Sequence, residues 1–174
     1  MREPGKQRDF ISRAGTGMTV VAWLLFLAML FGLFDYLVAQ RNNPNQNIVT
    51  TLDGPQKEVI LQRNAYGHYV SNGTINGKTV VFLLDTGASD IAIPASIADE
   101  MGLQRGREIL VKTANGNTRA YRTRLDSVAI GDIALYGLDA TILDNITGRE
   151  ILLGMSFLKH FEIVQKGRSL TIRQ

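Results

Sequence analysis

Asp85 ends a run of five apolar residues, Val80-Val81-Phe82-Leu83-Leu84, and is followed by Thr86, Gly87, Ala88 and Ser89. A buried strand therefore delivers a carboxylate into a tight turn of small residues. An unpaired buried carboxylate is costly by several kcal/mol, so an aspartate in this place is either used or capped. The plain alternative is a turn in which the Asp side chain caps its own backbone. That alternative does not account for a second apolar run ending in glycine, Ile151-Leu152-Leu153-Gly154, about 65 residues further on. The rest of the composition narrows the chemistry. The chain of 174 residues has no cysteine and two histidines, His68 and His160. These counts exclude a disulfide scaffold, a thiolate zinc site, an iron–sulfur cluster, a cysteine nucleophile and a multi-histidine metal centre. Ser-His-Asp chemistry survives only if one of the two imidazoles is the base. Carboxylates are left for acid–base work, with no cofactor and no metal expected.

The elements that must position Asp85 read as mainly β. His68–Ile75 and Lys78–Leu84 flank Asn76-Gly77, the strongest two-residue hairpin signal because both residues tolerate positive φ. Pro94–Met101 reads as a short helix, with Pro at its first turn and Gly102 ending it. Arg119–Ile130 and Ile133–Leu143 alternate around Gly131-Asp132. Ile151–Leu153 is a buried strand, Met155–His160 a helical turn and a half, and Glu162–Gln165 with Ser169–Arg173 a final hairpin. The expected class is a closed barrel or sandwich with one or two short helices.

Ahead of this domain, residues 18–34 form an apolar run of 17 residues in which Thr19 is the only polar side chain, and Tyr36–Ala39 extend it beyond Asp35. That is close to the ~20 residues needed to span a bilayer. The run is longer than the usual apolar region of a cleaved signal and lacks a good small-residue cut site, so residues 18–39 are expected to remain as a membrane anchor. Arg2, Lys6, Arg8 and Arg13 precede it, which places the N-terminus in the cytoplasm and the domain on the periplasmic or outer side of the cell membrane. Residues 1–17 are a basic tail and residues 40–58, rich in Asn and Pro, a linker to the domain at 59–174. The whole chain carries 19 Lys and Arg against 16 Asp and Glu. The tail holds +2 of that +3 (four basic and two acidic residues), leaving +1 elsewhere. The basic balance is thus about topology, and a nucleic-acid partner is not expected. Arg105, Arg107, Lys112, Arg119, Arg122 and Arg124 read as a solvated strand face.

Asp85-Thr86-Gly87-Ala88 behind two apolar residues, followed by the apolar pair and Gly154, resembles the aspartic proteases, specifically the single-domain retropepsin-like group and its bacterial membrane-anchored relatives. The resemblance covers roughly residues 66–173. It implies a single-lobe closed β barrel in which Asp85 is catalytic, Thr86, Gly87 and Ala88 support it, and Leu153 with Gly154 forms the second motif. Ala114, Asn115 and Gly116 fall where the family's flap folds over substrate. The chemistry needs two carboxylates about 3 Å apart sharing one proton. Only one such motif is present, and Asp90, Asp99 and Asp126 read as surface or capping residues. The resemblance therefore implies a homodimer that pairs two Asp85 and cleaves a protein or peptide substrate lying as an added strand. Ser89 and Met155 stand where the retroviral pattern has an Asp and an Arg that pair. The competing reading is an inactive module of the same fold that binds a partner. Tyr66, Tyr69 and Tyr121 are candidates for a groove but fit core or cross-strand roles better. Asn72-Gly73-Thr74 and Asn145-Ile146-Thr147 match a glycosylation acceptor and read as turns.

Overall fold

A computed structural model describes residues 5–54, 56–113, 116–146 and 148–174. The chain divides into two compact units, Met1–Gln40 and Arg41–Gln174. The first is made by helix α1, Gly5–Asn42, whose 38 residues extend well beyond the apolar run. At 1.5 Å per residue it is about 57 Å long. Its Gly17–Asn42 portion is long and apolar enough to cross a membrane by length and composition. Side chains from Gly17 to Gln40 are all exposed, as expected of a helix with no polar face to turn outward. The helix stops before Asn43-Pro44, where the proline ring disfavours helical backbone at the preceding residue.

Among its described residues the second unit contains eleven strands and two short helices. They are β1 (Thr50–Asp53), β2 (Gln56–Gln62), β3 (Tyr69–Ile75), β4 (Lys78–Leu84), β5 (Ile91–Pro94), α2 (Ala95–Met101), β6 (Glu108–Thr113), β7 (Gly116–Ile130), β8 (Ile133–Leu143), β9 (Glu150–Leu153), α3 (Met155–Leu158), β10 (Glu162–Lys166) and β11 (Ser169–Arg173). The larger sheet runs β3-β4-β9-β5-β8-β7-β6, and a further β3–β7 pairing closes its first six strands into a barrel. The smaller sheet, β1-β2-β11-β10, is built from both ends of the unit. The expected closed β barrel is therefore present.

Closure depends on the first hairpin. Asn76 (φ 50°) and Gly77 (φ 76°) both take positive φ, the pair of angles a two-residue hairpin turn demands. The Asn76 side-chain oxygen then accepts the backbone N–H of Asp126 and of Ser127 on β7, at 2.9 and 3.1 Å. Alongside, a Cβ at Gly73 would lie 2.5 Å from the Ala129 carbonyl and 2.5 Å from the Phe82 ring, so only glycine lets β3 meet β7 here. Phe82, Ile91, Leu125, Ile142, Ile151 and Phe157 fill the core without exposure. Removing a ring of this kind is worth about 3–5 kcal/mol.

Residues 40–58 differ from a linker. They contain β1 and the start of β2, and Asn43 and Asn45 are buried. The Asn45 side chain accepts the Gln62 N–H at 2.6 Å and donates to the Gln62 and Val70 carbonyls at 2.9 and 2.7 Å. Asn43 donates to the Asn72 side chain, which itself donates to the Gln46 carbonyl. These amides replace strand pairing between β2 and β3, which is why a polar segment is ordered without apolar periodicity. Asn72 and Gly73 consequently lie inside β3 and not in a turn. In the second triplet Thr147 is outside the described residues.

Candidate active site

β4 and β9 run parallel, with Leu84 opposite Leu153. β9 lies between β4 and β5, although those two strands are consecutive in the chain. The connecting residues 85–90 therefore arch over the end of β9. Asp85 continues the ladder by donating its N–H to the Leu153 carbonyl at 3.2 Å. The Ala88 N–H returns to the Asp85 carbonyl at 3.2 Å, closing a turn. Inside that turn the Gly87 N–H donates to Asp85 Oδ1 at 2.8 Å. A Cβ at Gly87 would sit 3.1 Å from the same oxygen. The sequence motif thus holds the carboxylate by one main-chain donor, through a residue with no side chain to displace it.

The second motif grips the loop from below. At Gly154 a Cβ would lie 2.4 Å from the Asp90 carbonyl oxygen and 2.5 Å from that of Ala88. The first turn of α3 then donates Met155 N–H to the Ala88 carbonyl and Ser156 N–H to the Ser89 carbonyl, each at 2.8 Å. Where the retroviral pattern has a charge pair, this chain joins loop and helix by these two main-chain bonds. Ser89 and Met155 need no charge for that.

Asp85 is half-buried, Thr86 and Gly87 are exposed, and Leu153 is fully buried. Asp85, Gly87 and Ala88 line a cleft of about 580 Å³ whose wall is Ile109–Val111 of β6, whereas Thr86 and Leu153 do not line it. The size suits a small ligand or a short stretch of extended peptide. β6 and β7 form the hairpin over this wall, with Thr113 paired to Gly116. Of the three expected flap residues, Gly116 begins β7 at φ 102°, while Ala114 and Asn115 lie outside the described residues.

Two cleft residues escaped the motif reading. Arg122 on β7 donates to Asp90 at 2.8 Å, and the Thr141 hydroxyl faces the same carboxylate at 3.4 Å. Asp90 is thus an ion-paired wall residue and not a capping one. Nothing in its local sequence could tell this, because its partner is 32 residues away. Arg105, Arg119 and Arg124 also face carboxylates, on Asp99 and Asp144, Glu108, and Asp139. Asp99, the larger influence, together with Asp144 holds the Arg105 pKa above its ordinary value. Tyr66, Tyr69 and Tyr121 do not line the cleft. Tyr69 is buried, Tyr66 is exposed, and Tyr121 stacks under Arg105 at 5.2 Å. His68 and His160 are both exposed and away from it. Among the described residues no cluster of three or more His, Asp or Glu side chains could hold a metal ion.

Comparison with known proteins gives the same region. Residues 71–160 match the family model described as "gag-polyprotein putative aspartyl protease". The uncharacterized protein in the cobV 5′ region of Sinorhizobium sp is 33% identical over 167 residues, covering 88% of this chain and 71% of that protein. Uncharacterized protein RP867 of Rickettsia prowazekii is 33% identical over 125 residues, covering 66% of this chain and 50% of that one. Among solved structures, a retropepsin-like aspartic protease from Rickettsia conorii superposes with a TM-score of 0.59 at 27% identity, covering 72% of this chain and 97% of its own. The matched stretch runs from the barrel-closing strand β3 through the Asp85 turn to the end of α3, and on that span the chain belongs to this aspartyl protease family, with a retropepsin-like fold.

Proposed function

We propose that the protein is a membrane-anchored aspartic endopeptidase that works as a homodimer, pairing Asp85 of one chain with Asp85 of the other. The observation that carries this reading is the placement of a half-buried Asp85 on the floor of the cleft, held by the Gly87 N–H and, among the described residues, by no second carboxylate. Asp90, the other acid in the cleft, is occupied by Arg122. A second Asp85 supplies the missing partner. Two carboxylates at close range cannot both ionise easily, so one proton is shared between them. The ionised member takes a proton from water, which adds to the peptide carbonyl carbon, while the protonated member donates to the carbonyl oxygen. The resulting gem-diol collapses with C–N cleavage and proton transfer to the departing amine. Thr86, exposed within one chain, is free to meet its counterpart beneath the pair. The β6–β7 hairpin would cover an extended substrate strand from above.

Residues 18–39 would tether the dimer in the membrane, with the basic tail in the cytoplasm and the domain on the periplasmic side. The exposure of every described side chain from Gly17 to Gln40 supports a lipid setting for this helix. The test is peptide cleavage by the full chain in detergent, wild type against Asp85→Asn. Loss of cleavage in the variant, with the fold unchanged by circular dichroism, supports the enzyme. Cleavage that Asp85→Asn leaves unchanged refutes the Asp85 reading, and absence of cleavage by the wild type leaves a partner-binding module.

A further inference from the structure

Charge is divided along the strands of the smaller sheet. At one end Glu58 of β2 stands opposite Arg173 of β11, which stands opposite Glu162 of β10. Arg173 is ion-paired to both acids, so the charges of that row are satisfied within the chain. At the other end the same strands bring Gln62, Ser169 and Lys166 into one row. Just beyond it the Arg63 N–H donates to the Arg168 carbonyl at 2.8 Å, and the Arg168 side chain donates to the Arg63 carbonyl at 3.0 Å. The loop after Arg63 is bonded in turn to residues 41 and 42. The Ala65 N–H donates to the Arg41 carbonyl at 3.4 Å, and the Asn64 side chain to the Asn42 carbonyl at 2.9 Å. Arg41, Arg63, Lys166 and Arg168 are thus gathered at one end of the sheet. None of them has an ion pair among the described residues. The segments that build this end, residues 41–52, 59–84 and 163–174, contain no acidic residue. Arg41, Lys166 and Arg168 are exposed, as is Tyr66 between them. The Arg63 guanidinium lies over the Tyr69 ring at 5.3 Å, with its Nε lacking a hydrogen-bond partner.

From these observations we infer that the Arg41, Arg63, Lys166 and Arg168 end of the second unit is a docking surface for a bilayer rich in anionic lipid. The inference rests on the membrane-anchor part of the proposed function and not on the pairing of Asp85. Arg41 is two residues past residue 39, where the proposed anchor ends, so the chain itself keeps Arg41 within about 7 Å of that point. Basic side chains so close to a membrane are attracted by its negative surface potential, and Arg pairs with phosphate oxygens. A tyrosine beside them suits the headgroup level, where one end of the ring is apolar and the other wet. Cations spread over three segments of an exposed end fit a surface of many headgroups better than one isolated phosphate. The tether makes the contact intramolecular, so that a few weak pairs suffice. The contact also has a consequence for the site. Leu84 is paired with Tyr69, so the Asp85 turn lies at the same end of β4 as the Arg63–His68 loop, and docking holds that turn near the bilayer.

The chain has no cysteine, so a single labelling site can be introduced. The full chain carries one fluorophore through Ala65→Cys at the basic end or through Leu52→Cys, opposite Lys57 at the other end, both at exposed positions. It is reconstituted in vesicles of phosphatidylcholine alone or with about one third phosphatidylglycerol, and quenching by a lipid with a quencher on its headgroup is followed. The inference predicts that quenching at residue 65 rises severalfold with the anionic lipid and is lost in about 0.5 M salt, which screens charges within a few ångströms. Residue 52 should respond to neither. Lys166→Gln should lower the ratio of docked to free domain about fivefold. Lys57→Gln, which removes the same charge from the opposite end, should leave it unchanged. Equal quenching at residue 65 in both kinds of vesicle, or equal effects of the two lysine variants, overturns the inference. So does displacement by inorganic phosphate at matched ionic strength, which would mark a site for a single phosphate. Flotation of the same samples separates the surface from the anchor. A chain that floats with both vesicles while its quenching ignores their charge keeps the anchor and loses the surface. A chain that floats only with anionic vesicles and is stripped by salt keeps the surface and refutes the anchor.

Discussion

At Asp85 a single glycine sets the geometry. Gly87 both donates its N–H to the carboxylate and keeps space beside it, so Gly87→Ala is expected to shift Asp85 Oδ1 by a few tenths of an ångström. Misplacement of a reacting group is penalised steeply, and kcat/KM should fall about a hundredfold. Gly87 is exposed, so thermal unfolding should change little, and this contrast separates a catalytic effect from a structural one. Gly154 predicts the opposite pattern. Its missing Cβ would overlap two carbonyl oxygens of the loop, and one of them, that of Ala88, cannot move without breaking its bond from the Met155 N–H of α3. Gly154→Ala should lose about 1–3 kcal/mol of stability together with activity, read by urea unfolding and peptide cleavage on the same sample. Both glycines were legible in the sequence because each belongs to a contiguous motif. The Asp90–Arg122 pair was not, because it joins residues from separate strands that only the closed barrel brings together.

Among the elements, those with strong local signals were readable. The Asn76-Gly77 hairpin, β8, β11 and the helix ended by Gly102 follow from turn chemistry and periodicity, and Gly102 takes the left-handed conformation with φ 70°. β5 and β6 were hidden: four residues are too few to show alternation, and β6 carries its signal only as one side of a hairpin with β7. The segment before β2 misled for a different reason. Asparagines and a proline read as loop, yet Asn45 makes with its side chain the bonds that a neighbouring strand would make with its backbone. Asn45→Ala takes this partner from the part-buried Gln62 N–H and from the Gln62 and Val70 carbonyls and should destabilise the domain by about 2 kcal/mol in urea unfolding. Asn45→Asp retains the acceptor but loses the donor, so it should recover only part of that stability.

For the whole molecule, the tether and the shared site belong to one account. Under the proposed function, confinement to a membrane would raise the effective concentration of a second subunit, so that a modest contact between chains would suffice. Deleting residues 1–40 should release a chain that partitions into the soluble fraction and loses specific activity on dilution far more steeply than the full chain in vesicles. The central claim is that one active site takes one Asp85 from each of two chains. It is tested most directly by co-reconstituting wild type with Asp85→Asn at fixed total protein and following peptide cleavage against the wild-type fraction. A shared site predicts that activity follows the square of that fraction, so an equal mixture retains about a quarter of the wild-type rate. A straight line, with about half the rate retained in the equal mixture, would show that each chain cleaves alone and would contradict the account.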